Sequence, residues 1–315
     1  MSNVFATATA AAAAALPAAT ETRAATLRSI DAQWAFIAAR AAKALGAAFD
    51  ALDAVPAPRT ILGASHKTDV AENASGALVA VSYLAPGRML SSFAGIDEGA
   101  TLCAMAELND CEDGCLGGDN GRGQLSFPQG DARRAQLGRT ILLLGAPTLF
   151  AALLAADCRK LAARAAKLGA AAYVRCDGTS DLGLASHGDA RDAFEALGVR
   201  PYDYTKLPGR AANSAGAYAC TFSATPRTVK AARAVLSAGG GIAVVVDAKR
   251  DAAKRGAEIA SLAALADLTG ARFIEGDASE PLECDGPTIR CLTAKAGSRK
   301  AFAALVSSGL VFAGE

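Results

Sequence analysis

The sequence predicts an α/β protein: an incomplete or irregular parallel (β/α) barrel preceded by a helical extension. Three observations carry that reading. First, short apolar, β-prone runs recur beyond residue 76, at residues 78–84, 171–176, 199–204, 217–223, 242–247, 272–276 and 289–294. Second, helix-forming stretches lie between several of them, and strand alternating with helix builds a parallel sheet with helices outside it. Third, each run ends on its C-terminal side in charged or hydroxylated residues, the edge where parallel barrels carry their sites. The connection between Tyr204 and Ala217 is too short for a full helix, hence an irregular barrel. A doubly wound open sheet is the alternative.

Residues 1–19 are mostly alanine and lack the positively charged start of a secretory leader, so a disordered arm is expected. Residues 20–76 hold an N-terminal helix and a linker. Thr20 is placed as an N-cap with Glu21 in the first turn, and Leu27, Ile30, Trp34, Ile37, Ala41 and Leu45 recur at helical spacing. That stripe reads as a packing face, and Pro56 and Pro58 end the element. Residues 77–315 form the α/β domain. Within it a helix over 149–168 follows Pro147, which suits a first turn. Helices over 190–197, 229–238 and 252–269 follow the same logic, with Gly169, Gly198, Gly239 and Gly270 at their ends.

A chain of 315 residues can bury a substantial core, and a formal net charge of +1 exerts no global pull toward nucleic acid or a membrane. No apolar run reaches the roughly 18 residues of a spanning helix. Eight unevenly spaced cysteines fit a reducing compartment, so a cytoplasmic protein is expected.

Chemistry concentrates in Cys103-x7-Cys111-x3-Cys115, which runs into Leu116-Gly-Gly-Asp-Asn-Gly-Arg-Gly123. Three cysteines on a polar, glycine-rich stretch, in a chain with two histidines, suit thiolate ligation of one soft metal centre. Three ligands leave a coordination position open, and glycines let backbone N–H groups approach the sulfurs. A [4Fe–4S] cluster is the favoured occupant. Zinc is the alternative and would draw a fourth ligand from Cys176, Cys220, Cys284 or Cys291.

The strand ends supply the remaining candidates: Arg175-Cys-Asp-Gly-Thr-Ser-Asp181, Tyr202-Asp-Tyr-Thr-Lys206, Cys220-Thr-Phe-Ser223, Val246-Asp-Ala-Lys249, Glu275-Gly-Asp277 and Lys295. Aspartate or serine after a strand often caps the next helix. Tyrosine and lysine make poor caps, so their recurrence at these ends points to a binding face. Cys115, Asp181, Tyr204, Ser223, Asp247 and Lys295 are expected to open on one side, with Asp181, Tyr204 and Lys206 close together.

Other chemistries fit less well. His66 and His187 lie in polar loops with no serine nucleophile motif beside them. The glycine-rich loop lacks a P-loop lysine, and Gly239-Gly-Gly241 precedes a strand instead of following one. Arg122, Arg133, Arg134 and Arg139 form a basic cluster, ordinarily a solvated face and otherwise a track for a nucleic-acid backbone.

Taken together, Cys103…Cys111-x3-Cys115-Leu…Gly121-Arg-Gly, Asp177-Gly-Thr-Ser-Asp-Leu182, Tyr202-Asp-Tyr-Thr-Lys206 and Thr221-Phe-Ser223 are similar to the phage-associated gene product 88 family. The resemblance covers roughly residues 79–312 and implies a phage or mobile-element origin without an established activity. The family usually has asparagine where this chain has Asp177. A three-cysteine loop after the first strand of a partial barrel also resembles radical S-adenosylmethionine enzymes, whose usual spacing is Cys-x3-Cys-x2-Cys. On that resemblance Cys103, Cys111 and Cys115 hold the cluster and Gly118, Asp177, Ser180 and Ser223 bind cofactor. Asp181, Tyr204 and Lys206 are then the catalytic candidates. The expected function is an iron–sulfur enzyme acting on an unknown small molecule or nucleic acid. The alternative is a non-enzymatic phage accessory protein with structural zinc or no metal. No membrane partner is expected.

Overall fold

Residues 2–47, 52, 54–63, 76–86, 102–103, 105, 131–213, 218–247, 251–277, 286–294, 303, 306–307 and 309–313 are described in the structure, a computed structural model. They form a mixed α/β fold with mostly parallel strands. The chain divides into two compact units. Among the described residues, the boundary falls between Pro201 and Tyr202, with Gly76 and Met105 grouped in the second.

The first unit opens with helix α1 (Ser2–Ala15), where a disordered arm was expected. Alanine is the strongest helix former. Here the helix also has a buried face of Phe5, Ala8, Thr9, Ala12 and Ala13, with Leu16 just beyond its end. Helix α2 (Arg23–Leu45) is capped by Thr22, two residues later than expected, with Thr22 Oγ1 accepting from Ala25 N at 3.3 Å. Ile30, Ile37, Ala41 and Leu45 of the predicted stripe are buried, and the Trp34 indole donates to Val55 O at 2.8 Å.

Helix α3 (Asp131–Gly145) was not expected. It lies against α2, where Gly145 meets Ile37, and two turns earlier Gly138 meets Pro56 and Pro58. A Cβ on Gly145 would strike Ile37, and one on Gly138 would lie 2.7 Å from Pro56 O. Pro147 then starts α4 (Pro147–Leu168), against which α1 packs, and Gly169 ends it in the left-handed region at φ 64°.

Strand β1 (Leu62–Gly63) pairs antiparallel with β2 (Leu78–Ser82), and β2 runs parallel to β3 (Ala172–Arg175). The first residues of β4 (Arg200–Thr205) pair with β3. A 3-10 turn (Leu184–Ser186) and α5 (Gly188–Ala196) lie between β3 and β4. Asp157 on α4 fastens β1. Its Oδ2 accepts from Ile61 N at 2.7 Å and Leu62 N at 3.1 Å, while Oδ1 faces Arg23 Nε at 3.5 Å.

In the second unit the rest of β4 pairs with β5 (Ala219–Ala224), and β5 with β6 (Gly241–Val246). Strand β8 (Thr288–Thr293) lies between β6 and β7 (Arg272–Glu275), and the short β9 (Val311–Phe312) also pairs with β6. All these pairings are parallel. The short connection after β4 holds a five-residue helix, α6 (Pro208–Ala212). Helix α7 (Val229–Ser237) matches expectation, whereas the stretch expected as one helix breaks at Ile259 into α8 (Ala252–Glu258) and α9 (Ala260–Thr269). These helices pack on one sheet face, where Phe222, Val244, Ile289 and Cys291 meet Val235 and Leu262.

All seven predicted strands therefore form, with ends shifted by one or two residues.

Candidate functional site

The best-defined polar construction is the loop after β3. Asp177 is 2 % exposed, and both its carboxylate oxygens accept hydrogen bonds from within the loop. Oδ1 takes Ser180 Oγ at 2.6 Å and Leu182 N at 3.1 Å, and Oδ2 takes Gly183 N at 2.7 Å. A carboxylate holding three donors shapes a turn that neutral side chains hold less firmly. The loop is also pinned to β2. Gly178 N donates to Ser82 O at 2.9 Å, and a Cβ on Gly178 would lie 2.6 Å from Val81 Cγ1. Thr179 Oγ1 donates to Leu84 O at 2.5 Å. Beside these contacts the Ser82 hydroxyl is buried with no hydrogen-bond partner among the described residues.

This loop receives the first cysteine of the predicted cluster. Asp181 N donates to Leu102 O at 2.9 Å, and Cys103 Sγ lies 4.0 Å from Thr179 O. Cys103, Ser180 and Asp181 thus gather around Asp177 at the C-terminal end of β3. Cys111, Cys115 and Gly118 lie outside the described residues.

Among the described cysteines, Cys103 is half-buried while Cys158, Cys176, Cys220 and Cys291 are buried. Burial, with smaller contributions from Glu275 and Asp251, pushes the Cys291 thiol up to about 12. Burial likewise drives Cys158 far above the ordinary thiol range. Metal ligation uses the thiolate, so Cys291 is a poor source of the fourth zinc ligand considered above. Cys284, another candidate, lies outside the described residues. Among the described residues no three His, Cys, Asp or Glu side chains group as a metal site.

Three more candidates lie in the second unit. Tyr204 is buried on β4, and Lys206 Nζ donates to the backbone oxygen of Ser223 at 3.1 Å. Lys206 and Ser223 therefore meet at the C-terminal ends of β4 and β5. The other acidic strand ends brace local structure. Glu275 Oε2 accepts from Ala252 N at 2.9 Å at the start of α8, and Asp277 Oδ2 accepts from Thr293 N at 3.2 Å. Asp247 donates its backbone N–H to Phe312 O at 3.1 Å, and Lys295 lies outside the described residues.

The basic cluster is largely spent on structure. Arg139 donates to Thr60 O at 2.8 Å and Tyr83 O at 3.2 Å, and burial holds its pKa below the usual arginine range. Arg134 donates to Ala54 O at 2.9 Å. Arg134 is nevertheless exposed, and Arg122 lies outside the described residues. His187 precedes α5, and His66 is outside the described residues.

Sequence reasoning missed the polar residues of β8. Thr288 and Arg290 are 1 % and 2 % exposed, an unusual burial for arginine. The signal was present: Arg290 sits inside Thr-Ile-Arg-Cys-Leu-Thr, a strand run in which Thr288 and Arg290 are spaced by two.

Among the described residues no helix is long and apolar enough to cross a membrane. Comparison with curated proteins and with solved structures finds no match. The family model described as gene product 88 matches residues 60–309, a span that takes in the cysteine cluster, the Asp177 loop and every strand from β1 to β8. The chain belongs to the gene product 88 family.

Proposed function

We propose that this is an iron–sulfur enzyme of phage or mobile-element origin, in which Cys103, Cys111 and Cys115 would hold a [4Fe–4S] cluster. The observation that carries the reading is the state of Cys103. Among the described cysteines it is the half-exposed one, and it lies against the braced loop at the C-terminal end of a parallel strand. A half-exposed sulfur at such a loop suits a cluster ligand. When bound together with S-adenosylmethionine, such a cluster supplies radical chemistry.

The chain's own residues then divide the remaining work. Asp177 and Ser180 position the loop, because their polar atoms are occupied with each other and with its backbone. Asp181 orders the Cys103 segment through Leu102. Tyr204, Ser223 and Lys206 stand at strand ends in the second unit, where they would face substrate. We read the sheet as a partial barrel, a reading supported by the run of parallel neighbours from β2 to β6.

The test is anaerobic reconstitution with iron and sulfide, comparing wild type with a variant carrying serine at positions 103, 111 and 115. About four irons and four sulfides per chain, with broad absorbance near 400 nm that the variant lacks, are expected. Equal iron in both proteins would refute the reading. Stoichiometric zinc that resists replacement by iron would instead favour a metal-stabilised accessory protein.

A further inference from the structure

Helix α1 packs along α4, and its further neighbours include α3, the 3-10 turn Leu184–Ser186 and α5. That turn continues the Asp177 loop. Gly183, just before it, donates its N–H to Asp177 Oδ2 at 2.7 Å, and its carbonyl accepts from Ser186 Oγ at 2.6 Å and Ser186 N at 2.9 Å. Asp177 also holds Ser180 and Leu182, and Asp181 N reaches Leu102 O, one residue from Cys103. A run of short contacts therefore leads from α1 through the turn to the Cys103 segment. Leu184 and Ala185 of the turn are buried, with α1 and α5 as the helices against it.

The seat of α1 is weak by composition. Its buried face is mostly alanine, and each methyl group removes little apolar area from water. Thr9 weakens it further. Its side chain is buried, yet the hydroxyl has no hydrogen-bond partner among the described residues, so docking strips it of water without replacement. The link behind the helix is held independently of that seat. Arg159 on α4 donates to Ala19 O at 2.8 Å and Glu21 O at 2.7 Å, which anchors residues 19–21 whether or not α1 is docked.

We propose that α1 is a releasable buttress of the candidate site. Docked, it holds the turn that closes the Asp177 loop; undocked, it loosens that loop and the Cys103 segment together. Its bearing on activity rests on the reading of Cys103 as a cluster ligand, but the coupling itself does not. The iron content of the same samples judges that reading separately.

The experiment is amide hydrogen exchange on the full-length chain, read by mass spectrometry of peptides covering residues 6–15 and 178–187. Local opening of one cooperative unit exposes all its amides at one free energy. In wild type the two peptides should therefore exchange together, ahead of those from α4 and β3. Phe5→Ala should speed both by the same factor, about tenfold or more, and quicken iodoacetamide labelling of Cys103 with them. Thr9→Val, close in shape and free of the hydroxyl, should slow both several-fold. It is also the deciding variant should Phe5→Ala fail to fold. The proposal is overturned if the loop exchanges only with α4 and β3, if its rate stays fixed while that of α1 changes, or if Thr9→Val leaves both as in wild type.

Discussion

Asp157 is the residue whose ionisation matters most to the first unit. It is buried, and desolvation raises its pKa above the ordinary 3.8, although the amides of Leu62 and Ile61 and the Arg23 guanidinium pull the other way. The folded protein therefore holds this proton more tightly than the unfolded chain does. By linkage, its contribution to stability falls as pH rises from about 4 through the folded-state pKa, and is level above it. Asp157→Asn keeps an oxygen for the two amides and should cost less than about 1 kcal/mol at neutral pH, whereas Asp157→Ala strands both and should cost about 2–3 kcal/mol. Denaturant melts from pH 4 to 8 should show wild type losing ground relative to Asp157→Asn as pH rises; parallel curves would refute the assignment. Thiol reactivity gives a second check. Iodoacetamide at pH 8 should label Cys103 while sparing Cys158 and Cys291 in native protein, since alkylation requires an exposed thiolate. Mass spectrometry of quenched digests reads this directly, and early labelling of Cys291 would contradict its burial. Such residue-level facts were only partly legible in the sequence. Cys103 announced itself by its neighbours, but Asp157 sits in an alanine-rich helix, and its partners lie 95 and 96 positions away.

Among the elements, strands were easier to read than helices because a strand buried on both faces shows as a bounded apolar run. The helix α3 was missed since its first turns, Asp131 to Arg139, are polar and its apolar residues crowd the end. Its contact with α2 depends on what is absent from the sequence pattern, namely a side chain at Gly145, as its contact with Pro56 does at Gly138. Gly145→Ala would improve intrinsic helix propensity by roughly 1 kcal/mol. Its methyl would nevertheless collide with Ile37, and overpacking of this kind costs about 1–3 kcal/mol. A net loss of stability is expected, and because the nearest atom is the Ile37 backbone oxygen, the double variant with Ile37→Ala should not recover it. An alanine variant as stable as wild type would mean that the helices adjust freely. The split of α8 from α9 was less legible: residues 252–269 are mostly helix-forming apart from Gly256, and Ile259 interrupts them by adopting extended backbone at φ −81° and ψ 112°.

For the whole molecule, the alternating α/β order was legible because parallel pairing demands crossovers, and these leave a regular sequence trace. The placement of β8 between β6 and β7 was not, since strand order depends on pairing geometry that no local pattern records. The burial of Thr221, Thr288 and Arg290 escaped notice for a related reason: each looks unremarkable until the strands pair. The N-terminal stretch was misread because composition alone does not distinguish a loose alanine tract from one with a docking surface. Phe5→Ala should cost about 3–5 kcal/mol if α1 is integral to its unit. A thermal midpoint unchanged by that substitution would show the helix to be a dispensable appendage.

The docking of α1 on α4 also sets a timetable. The helix leaves the ribosome some 150 residues before its partner is complete, and at about 5–20 residues per second that gap lasts on the order of ten seconds. During this wait its eventual inner face is open to water and to neighbouring nascent chains. An α1 rich in leucine or phenylalanine would bind more strongly once docked, but it would be a liability while waiting. A surface made mostly of alanine methyls, with Phe5 and Leu16 as its large apolar groups, forms a helix readily and adheres weakly until α4 arrives.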